Sequence, residues 1–153
     1  MPAHESGQIV SLQLCIGHRD PMKKVESANA VTNFGLEGDR HATSEGVRTQ
    51  RQVLLMDEET LREFGLNRAD VRENITTSGF DLYSLKRGEQ VALGGEVVLK
   101  ITGHCAPCAR MDELRPGLQE QLEGRRGMLA SIVQGGTIKV GDAIRVLERA
   151  ATS

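Results

Sequence analysis

The stretch RGEQVALGGEVVLKITG, residues 87–103, places short apolar runs on either side of a glycine pair. A second stretch, GMLASIVQGGTIKVGDAIRVLE at residues 127–148, repeats this pattern around further glycines. The run NITTSG at residues 74–79 has the same character. Short runs rich in β-branched residues and separated by glycine turns are typical of hairpins. The second half of the chain is therefore predicted to be a meander of short strands, as in a barrel or a sandwich.

The rest of the chain adds strands and short helices. Residues 7–16 (GQIVSLQLCI) and 51–56 (RQVLLM) have the pattern of strands. Residues 57–66 (DEETLREFGL) predict a helix that is capped by Asp57 and stops at Gly65. Residues 108–124 (CARMDELRPGLQEQLEG) are helical in character, with a break near Pro116. The expected fold class is mainly β, a closed or partly open β-barrel with a few short helices.

Length and composition limit the possible functions. The chain has 153 residues and neither a repeat nor a linker, so residues 1–153 are predicted as one domain with a core at about 7–148. A net charge of −2 and 3% aromatic residues argue against a nucleic-acid partner. The sequence shows no membrane-spanning run and no signal peptide at its start. These features predict a cytoplasmic protein without a membrane partner.

The cysteines allow several interpretations. Cys105 and Cys108 lie in HCAPC, residues 104–108, and could form a redox dithiol. Together with Cys15 and His18 they could instead form a zinc site, or all three cysteines could be ordinary buried residues. Cys108 lies where a strand ends and a helix begins, a position that favours a reactive thiolate. The residues alone leave these alternatives open.

Two further segments group side chains that suit an anionic ligand. The glycine-punctuated segment FGLEGDRHA, residues 34–42, carries Arg40 and His41 as cationic donors. The segment VRENITTSG, residues 71–79, adds a guanidinium, an amide and hydroxyl groups from Arg72, Asn74, Thr76 and Thr77. Together they would suit a large, polar ligand that bears a phosphate. A solvated surface turn is the alternative for the first segment.

Five blocks of the sequence resemble, in order, the successive blocks of the MOSC domain, the module named for the C-terminus of molybdenum-cofactor sulfurases. They are GLEGDRHA (35–42), RQVLLMDEET (51–60), RENITTSGFDLYSL (72–85), GEQVALGGEVVLKITGHCAPC (88–108) and RRGMLASIVQGGTIKVGDAI (125–144). The likeness covers about residues 7–148, and the order and spacing of the blocks carry it. The resemblance implies a barrel similar to that of pyruvate kinase, and affinity for the molybdenum cofactor (molybdopterin).

The resemblance also implies roles for individual residues. Cys108, preceded by Pro107, matches the family cysteine, which ligates molybdenum or carries a sulfane sulfur; it is the expected catalytic and metal-binding residue. Arg72 and Asn74 match a block that resembles a pterin or phosphate contact. Glu37, Gly38, Asp39 and His41 match a further block of the family. In this block, Asp39 is expected to order the loop and His41 to face the cofactor. Cys105 departs from the family pattern.

The function implied is either sulfur transfer or molybdenum-dependent reduction of N-hydroxylated compounds, without pyridoxal phosphate. The reductase would need an electron-donor protein, and the sulfur transferase would need a donor such as a cysteine desulfurase. Two alternatives stay open: a non-catalytic carrier of sulfur or cofactor, and a barrel stabilised by zinc.

Overall fold

The computed structural model describes residues 6–17 and 20–148. The described strands are β1 Ser6–Leu14, β2 Lys23–Val25, β3 Ser27–Val31, β4 Gly35–Leu36, β5 Val53–Asp57, β6 Ile75–Ser78, β7 Gln90–Leu93, β8 Val97–His104, β9 Met128–Gln134, β10 Gly136–Lys139 and β11 Ala143–Glu148. The described α-helices are α1 Glu58–Glu63, α2 Ala109–Leu114 and α3 Leu118–Gln121, and Gly46–Arg51 and Leu82–Ser84 form 3-10 turns. No helix in these described ranges has both the length and the apolar character needed to cross a membrane.

Seven of the described strands form a closed barrel. Their order is β11-β7-β8-β9-β5-β6-β1, and β1 pairs with β11 to close the ring. The strand β2 extends the sheet from the far end of β1, and β10, β3 and β4 form a separate small sheet. The predicted class, a mainly β barrel with a few short helices, is confirmed.

The barrel interior is apolar because alternate residues of each strand point inward. Its largest fully buried side chains include those of Ile9, Leu12, Leu55, Ile75, Leu99 and Ile101. Each contributes about 1.5–3 kcal/mol by leaving water. This interior supplies the rigid frame that holds the loops described below.

All of β5 is buried, on both faces. Leu55 packs into the barrel, whereas Met56 packs outward beneath the three α-helices. The predicted helix after β5 is present, and the carboxylate of Asp57 accepts a hydrogen bond from the backbone N–H of Thr60 at 3.0 Å. The predicted break at Pro116 is also present, between α2 and α3.

Two features of the sheet were not predicted. The pair β5 and β6 is parallel, whereas a meander contains only antiparallel neighbours. The small sheet joins β10 to β3 and β4, which lie within residues 27–36, a part of the chain for which the sequence predicts no strand. Its strand β3 (SANAV) buries only two alanines, so it carries a weak apolar signal. The contact with β3 is close enough that a Cβ on Gly135 would lie 2.5 Å from the carbonyl oxygen of Ala30.

Candidate functional site

A cavity of about 220 Å³ lies over the outer face of β5 and β9. Leu54 and Leu129 are paired across these strands and, with Cys105, form a small apolar cluster at the cavity. The other lining residues are polar or basic: Cys15, Arg40, His41, Arg51, Arg72, Asn74, Arg110 and Arg126. No described aspartate or glutamate lines this space, which we call the arginine cavity. Five guanidinium groups around one concave surface produce a strongly positive potential.

Asp39 orders the loop that carries Arg40 and His41, as the resemblance implied. Its buried carboxylate accepts hydrogen bonds from the backbone N–H groups of Cys15 at 2.7 Å and of His41 at 3.0 Å. The His41 ring nitrogen Nδ1 lies 3.6 Å from the same carboxylate. The carboxylate of Asp39 is therefore occupied within the protein, and it fixes the backbone from which the side chains of Arg40 and His41 reach the cavity.

Asn74 connects this loop to the barrel. Its side-chain oxygen accepts a hydrogen bond from the N–H of Leu54 at 3.0 Å. Its Nδ2 donates to Asp39 Oδ1 at 3.0 Å and to the carbonyl of Gln13 at 3.2 Å. One buried amide thus joins β1, β5 and the loop at residue 39, so the predicted cofactor residue Asn74 lines the cavity and also supports its wall.

Arg72 occupies a left-handed backbone conformation, with φ of 64°. This region is costly for a residue with a side chain, and such residues concentrate at functional sites. The guanidinium donates to the carbonyls of Asp20 at 2.6 Å and Gly17 at 2.9 Å, and to the sulfur of Cys15 at 3.1 Å. Arg72 therefore places a cation beside the thiol of Cys15 at the cavity.

Arg126 is the buried cation among the described lining residues, and its hydrogen-bonding groups are only partly satisfied. It is only 6% exposed, and its Nη2 donates to the carbonyl of Val71 at 2.7 Å. Its Nε and Nη1 are buried without a hydrogen-bond partner in the part of the chain that the structure describes. Leaving a buried donor unpaired costs about 1–3 kcal/mol, and more for a charged group. Both nitrogens are closed off from solvent, so an anion in the cavity would accept from them once the guanidinium turned toward it.

Glu73 lies beneath this wall and is fully buried. One carboxyl oxygen accepts hydrogen bonds from the N–H of Ala69 at 2.9 Å and the hydroxyl of Thr76 at 2.8 Å. The other oxygen has no partner among the described residues. Burial raises the pKa of Glu73 above its ordinary value, and the hydrogen bonds and the charge of Arg126 oppose this only in part.

The three cysteines occupy different surroundings. Cys15 and Cys105 are buried and line the arginine cavity, whereas Cys108 is exposed and does not line it. Cys108 is the N-cap residue of α2, so the predicted junction between a strand and a helix is present. It lies between two lining residues, Cys105 and Arg110. Cys108 is thus within three residues of the cavity lining in sequence, and its thiol is exposed to solvent.

The sequence-predicted residues divide into two groups. Arg40, His41, Arg72 and Asn74 line the cavity together, whereas Thr76 and Thr77 are buried in β6 away from it. Thr76 donates to Glu73, so its place is in the supporting wall. Sequence reasoning did not single out three other lining residues, Arg51, Arg110 and Arg126. It considered Cys15 only as a zinc ligand. The adjacent pair Arg125 and Arg126, in the block RRGM, was the available signal for the last of these.

The zinc alternative has a limited basis in the described ranges. Within residues 6–17 and 20–148, no group of three or more His, Cys, Asp or Glu side chains is arranged to hold a metal ion. His18, which that alternative requires, lies outside the described residues. The zinc site therefore stays a prediction.

Comparison with known proteins gives the family. The model of the MOSC domain matches residues 42–145. Among solved structures, the YuaD protein of Bacillus subtilis has 19% identity, a TM-score of 0.78, and a match covering 95% of this chain and 97% of that one. YiiM from Geobacillus stearothermophilus has 16% identity, a TM-score of 0.71, and coverage of 93% and 75%. YiiM from Escherichia coli has 18% identity, a TM-score of 0.69, and coverage of 95% and 72%.

No curated protein sequence matches the chain significantly. The solved structures, at these identities, support the fold. The family model spans most of the chain. The matched residues include Asn74, Cys105, Cys108 and Arg126. The chain therefore belongs to the MOSC domain family.

Proposed function

We propose that this protein binds the molybdenum cofactor in the arginine cavity, with the terminal phosphate of the cofactor at Arg126. The observation that carries the proposal is the buried guanidinium of Arg126, with two nitrogens that lack a partner among the described residues. Arginine binds phosphate through paired, charge-assisted hydrogen bonds. A phosphate in the cavity, with the guanidinium of Arg126 turned toward it, would give both nitrogens acceptors and neutralise charge concentrated by the other arginines.

The remaining lining residues fit the same ligand. Arg40 and His41 lie on a loop that Asp39 holds in place, so their positions are set before a ligand arrives. Asn74 fixes that loop to the barrel through three hydrogen bonds. Such preorganisation reduces the conformational entropy lost on binding. The apolar cluster of Leu54, Leu129 and Cys105 offers a surface for the less polar part of the cofactor.

Cys108 is the proposed metal- or sulfur-bearing residue. Its thiol is exposed, and it lies between Cys105 and Arg110, both of which line the cavity. A soft thiolate suits molybdenum and is also a nucleophile for sulfur. When bound, the cofactor would supply reduction of N-hydroxylated compounds at its metal, with electrons from a separate donor protein. The protein's own residues would bind the phosphate, shape the wall and present the thiol.

The test is to co-express the chain with the cofactor biosynthesis enzymes and to measure molybdenum and pterin fluorescence per chain. The wild type should retain both, and Cys108→Ala should lose molybdenum. Cys105→Ala is the comparison variant, because it removes a thiol from the cavity wall and leaves the proposed ligand Cys108 in place; it should weaken pterin binding at most slightly and retain molybdenum. Absence of pterin from the wild type would reject cofactor binding, whereas equal molybdenum in the wild type and Cys108→Ala would reject the role of this cysteine.

A sulfur carrier is the second candidate function, and the exposure of Cys108 favours it. An exposed thiol can be reached by a donor protein such as a cysteine desulfurase, whereas buried Cys15 and Cys105 cannot without rearrangement. This function predicts sulfur that cyanide releases from the wild type and not from Cys108→Ala. Cyanide-released sulfur without any bound pterin would favour the carrier over the reductase.

A further inference from the structure

A second cavity, of about 490 Å³, adjoins the arginine cavity. We call it the side cavity; it is lined by Arg40, His41, Ala42, Thr43, Arg48 and Arg51. Three of these residues, Arg40, His41 and Arg51, line both cavities. A ligand in the side cavity would therefore lie directly beside a ligand in the arginine cavity.

The side cavity is also strongly cationic. Three of its six lining residues are arginines, and no described carboxylate lines it. Arg48 and Arg51 form the basic last turn of the 3-10 segment Gly46–Arg51. Within the described ranges, neither makes a hydrogen bond or an ion pair, in contrast to Arg62, Arg68 and Arg125 elsewhere on the surface. Arginines without carboxylate partners around a concave surface attract anions.

The wall of the side cavity is anchored to the barrel. The buried side chain of Gln52 donates from Nε2 to the carbonyl of Thr43 at 2.9 Å. Its Oε1 accepts a hydrogen bond from the N–H of Ile132 in β9 at 3.0 Å. On the opposite side, Asp39 accepts from the N–H of His41. The two ends of the segment 41–43 are thus held by buried polar groups, which makes the side cavity a formed site.

We propose that the side cavity is a binding subsite for the anionic group of a small-molecule substrate, either a carboxylate or a phosphate. This inference rests on the proposed function, because the substrate would react at a cofactor in the adjoining arginine cavity. Arg48 and Arg51 bind the anion, and Arg40, His41 and Arg51, which line both cavities, form the boundary with the cofactor site. The arginine cavity has its own unpartnered cation, Arg126, so each cavity can take one anion. The protein would accordingly prefer N-hydroxylated compounds that carry a negative charge.

The test uses benzoate and benzamide, two probes of nearly the same shape that differ in charge. Each is titrated into the full chain, and the backbone amide signals of Thr43, Arg48 and Arg51 are followed by NMR. Benzoate should shift these signals with an affinity at least about tenfold above that of benzamide, the difference of one charge-assisted hydrogen bond. The amide spectrum itself reports whether each variant is folded.

The variant Arg48→Gln with Arg51→Gln should weaken benzoate binding about tenfold or more. The matched control is Lys139→Gln with Arg145→Gln, which removes two exposed cations from β10 and β11 and should leave the affinity unchanged. Equal weakening in both double variants would show a general charge effect and overturn the proposal. So would the absence of any difference between benzoate and benzamide.

A titration of protein loaded with cofactor separates the two proposals. Benzoate should still shift the three amides, because the subsite is distinct from the cofactor cavity. Loss of benzoate binding on loading would show that the side cavity holds part of the cofactor, and would overturn the substrate subsite while supporting cofactor binding. A chain that never retains cofactor but binds benzoate through Arg48 and Arg51 would reject the proposed function and keep the anion subsite.

Discussion

Arg125 and Arg126 are neighbours in the chain, but they serve two different regions of the molecule. Arg125 reaches the surface beside α1, where it donates to the carboxylate of Glu63 at 2.7 and 2.9 Å and to the hydroxyl of Thr60 at 3.2 Å. Arg126 turns to the arginine cavity, where it has one carbonyl partner and two nitrogens with none among the described residues. An arginine side chain is thus fully paired by the protein in one region and only partly paired in the other.

The difference extends beyond this pair. Near α1, the described arginines Arg62 and Arg68 both bind Glu58. At the cavity, five arginines converge and no described carboxylate lines the space. Paired charges at the surface contribute modestly to folding, whereas like charges gathered in a concavity repel one another and oppose it. The α1 region therefore serves stability, and the cavity region carries a cost that an anionic ligand would offset.

Arg126→Met provides the largest expected effect. Loss of two charge-assisted hydrogen bonds should lower the affinity for the cofactor at least about a hundredfold, since each is worth about 1.5–3 kcal/mol. The free energy of unfolding should change far less, because an apolar side chain often replaces a poorly paired buried charge without loss. Pterin retained through gel filtration and urea unfolding measure the two quantities. Full retention of pterin by this variant would remove the distinction between the two arginines.

Asn74→Ala tests whether the hydrogen bonds of Asn74, which join the loop at residue 39 to the barrel, stabilise the cavity wall. The change removes the acceptor of the buried N–H of Leu54 and one donor to Asp39, and should cost about 2 kcal/mol of unfolding free energy. Asn29→Ala, at an exposed position of β3, should change it by less than about 0.5 kcal/mol. Urea unfolding compares the two variants. Equal costs would mean that Asn74 is not the link between the loop and the barrel.

Glu73→Gln tests the buried wall of the cavity through the pH dependence of the free energy of unfolding. The buried carboxyl of Glu73 has a raised pKa, so the folded protein holds its proton when the unfolded chain has already lost it. The stability associated with this proton is present below about pH 4.5 and is lost as pH rises through the pKa of the folded state. Glu73→Gln cannot ionise, so its free energy of unfolding should fall less than that of the wild type as pH rises above 4.5. Parallel pH profiles of the two proteins would contradict this assignment.

The apolar pattern of the chain was sufficient to predict most of the barrel. The glycine pairs at 94–95 and 135–136 mark real breaks between strands, and Asp57 caps its helix as expected. The parallel pairing of β5 with β6 was not predictable, because strand direction depends on the path of the helix between them. The small sheet was missed because β3 buries only alanines.

The sequence also predicted some residues of the candidate site and not others. Arg40, His41, Arg72 and Asn74 lie in segments whose composition already suggests an anion site, and all four line the cavity. Arg126 and Arg110 lie in segments with ordinary surface composition, and only the packing of β9 and α2 brings them to it. Burial separates Arg126 from Arg125, and nothing in two consecutive arginines indicates which one is buried. A contact made by folding distant segments together leaves no local pattern to read.

Arg125→Met should have the smallest effect and the opposite profile to Arg126→Met. The variant loses the bonds to Glu63 and Thr60 and the contact of the guanidinium with the Phe64 ring, at 5.5 Å, so its Tm should fall by about 2–4 °C. Arg125 holds the pKa of Glu63 below its ordinary value, so this stabilisation is present above pH 4.5 and is lost as pH falls through the lowered pKa. The difference in Tm between wild type and variant should therefore narrow at acid pH, which thermal unfolding at pH 7 and pH 3 measures; the part due to Thr60 and Phe64 should remain. Pterin retention should stay at the wild-type level, because Arg125 does not line the cavity. A loss of pterin comparable to that of Arg126→Met would mean that the two regions form one site.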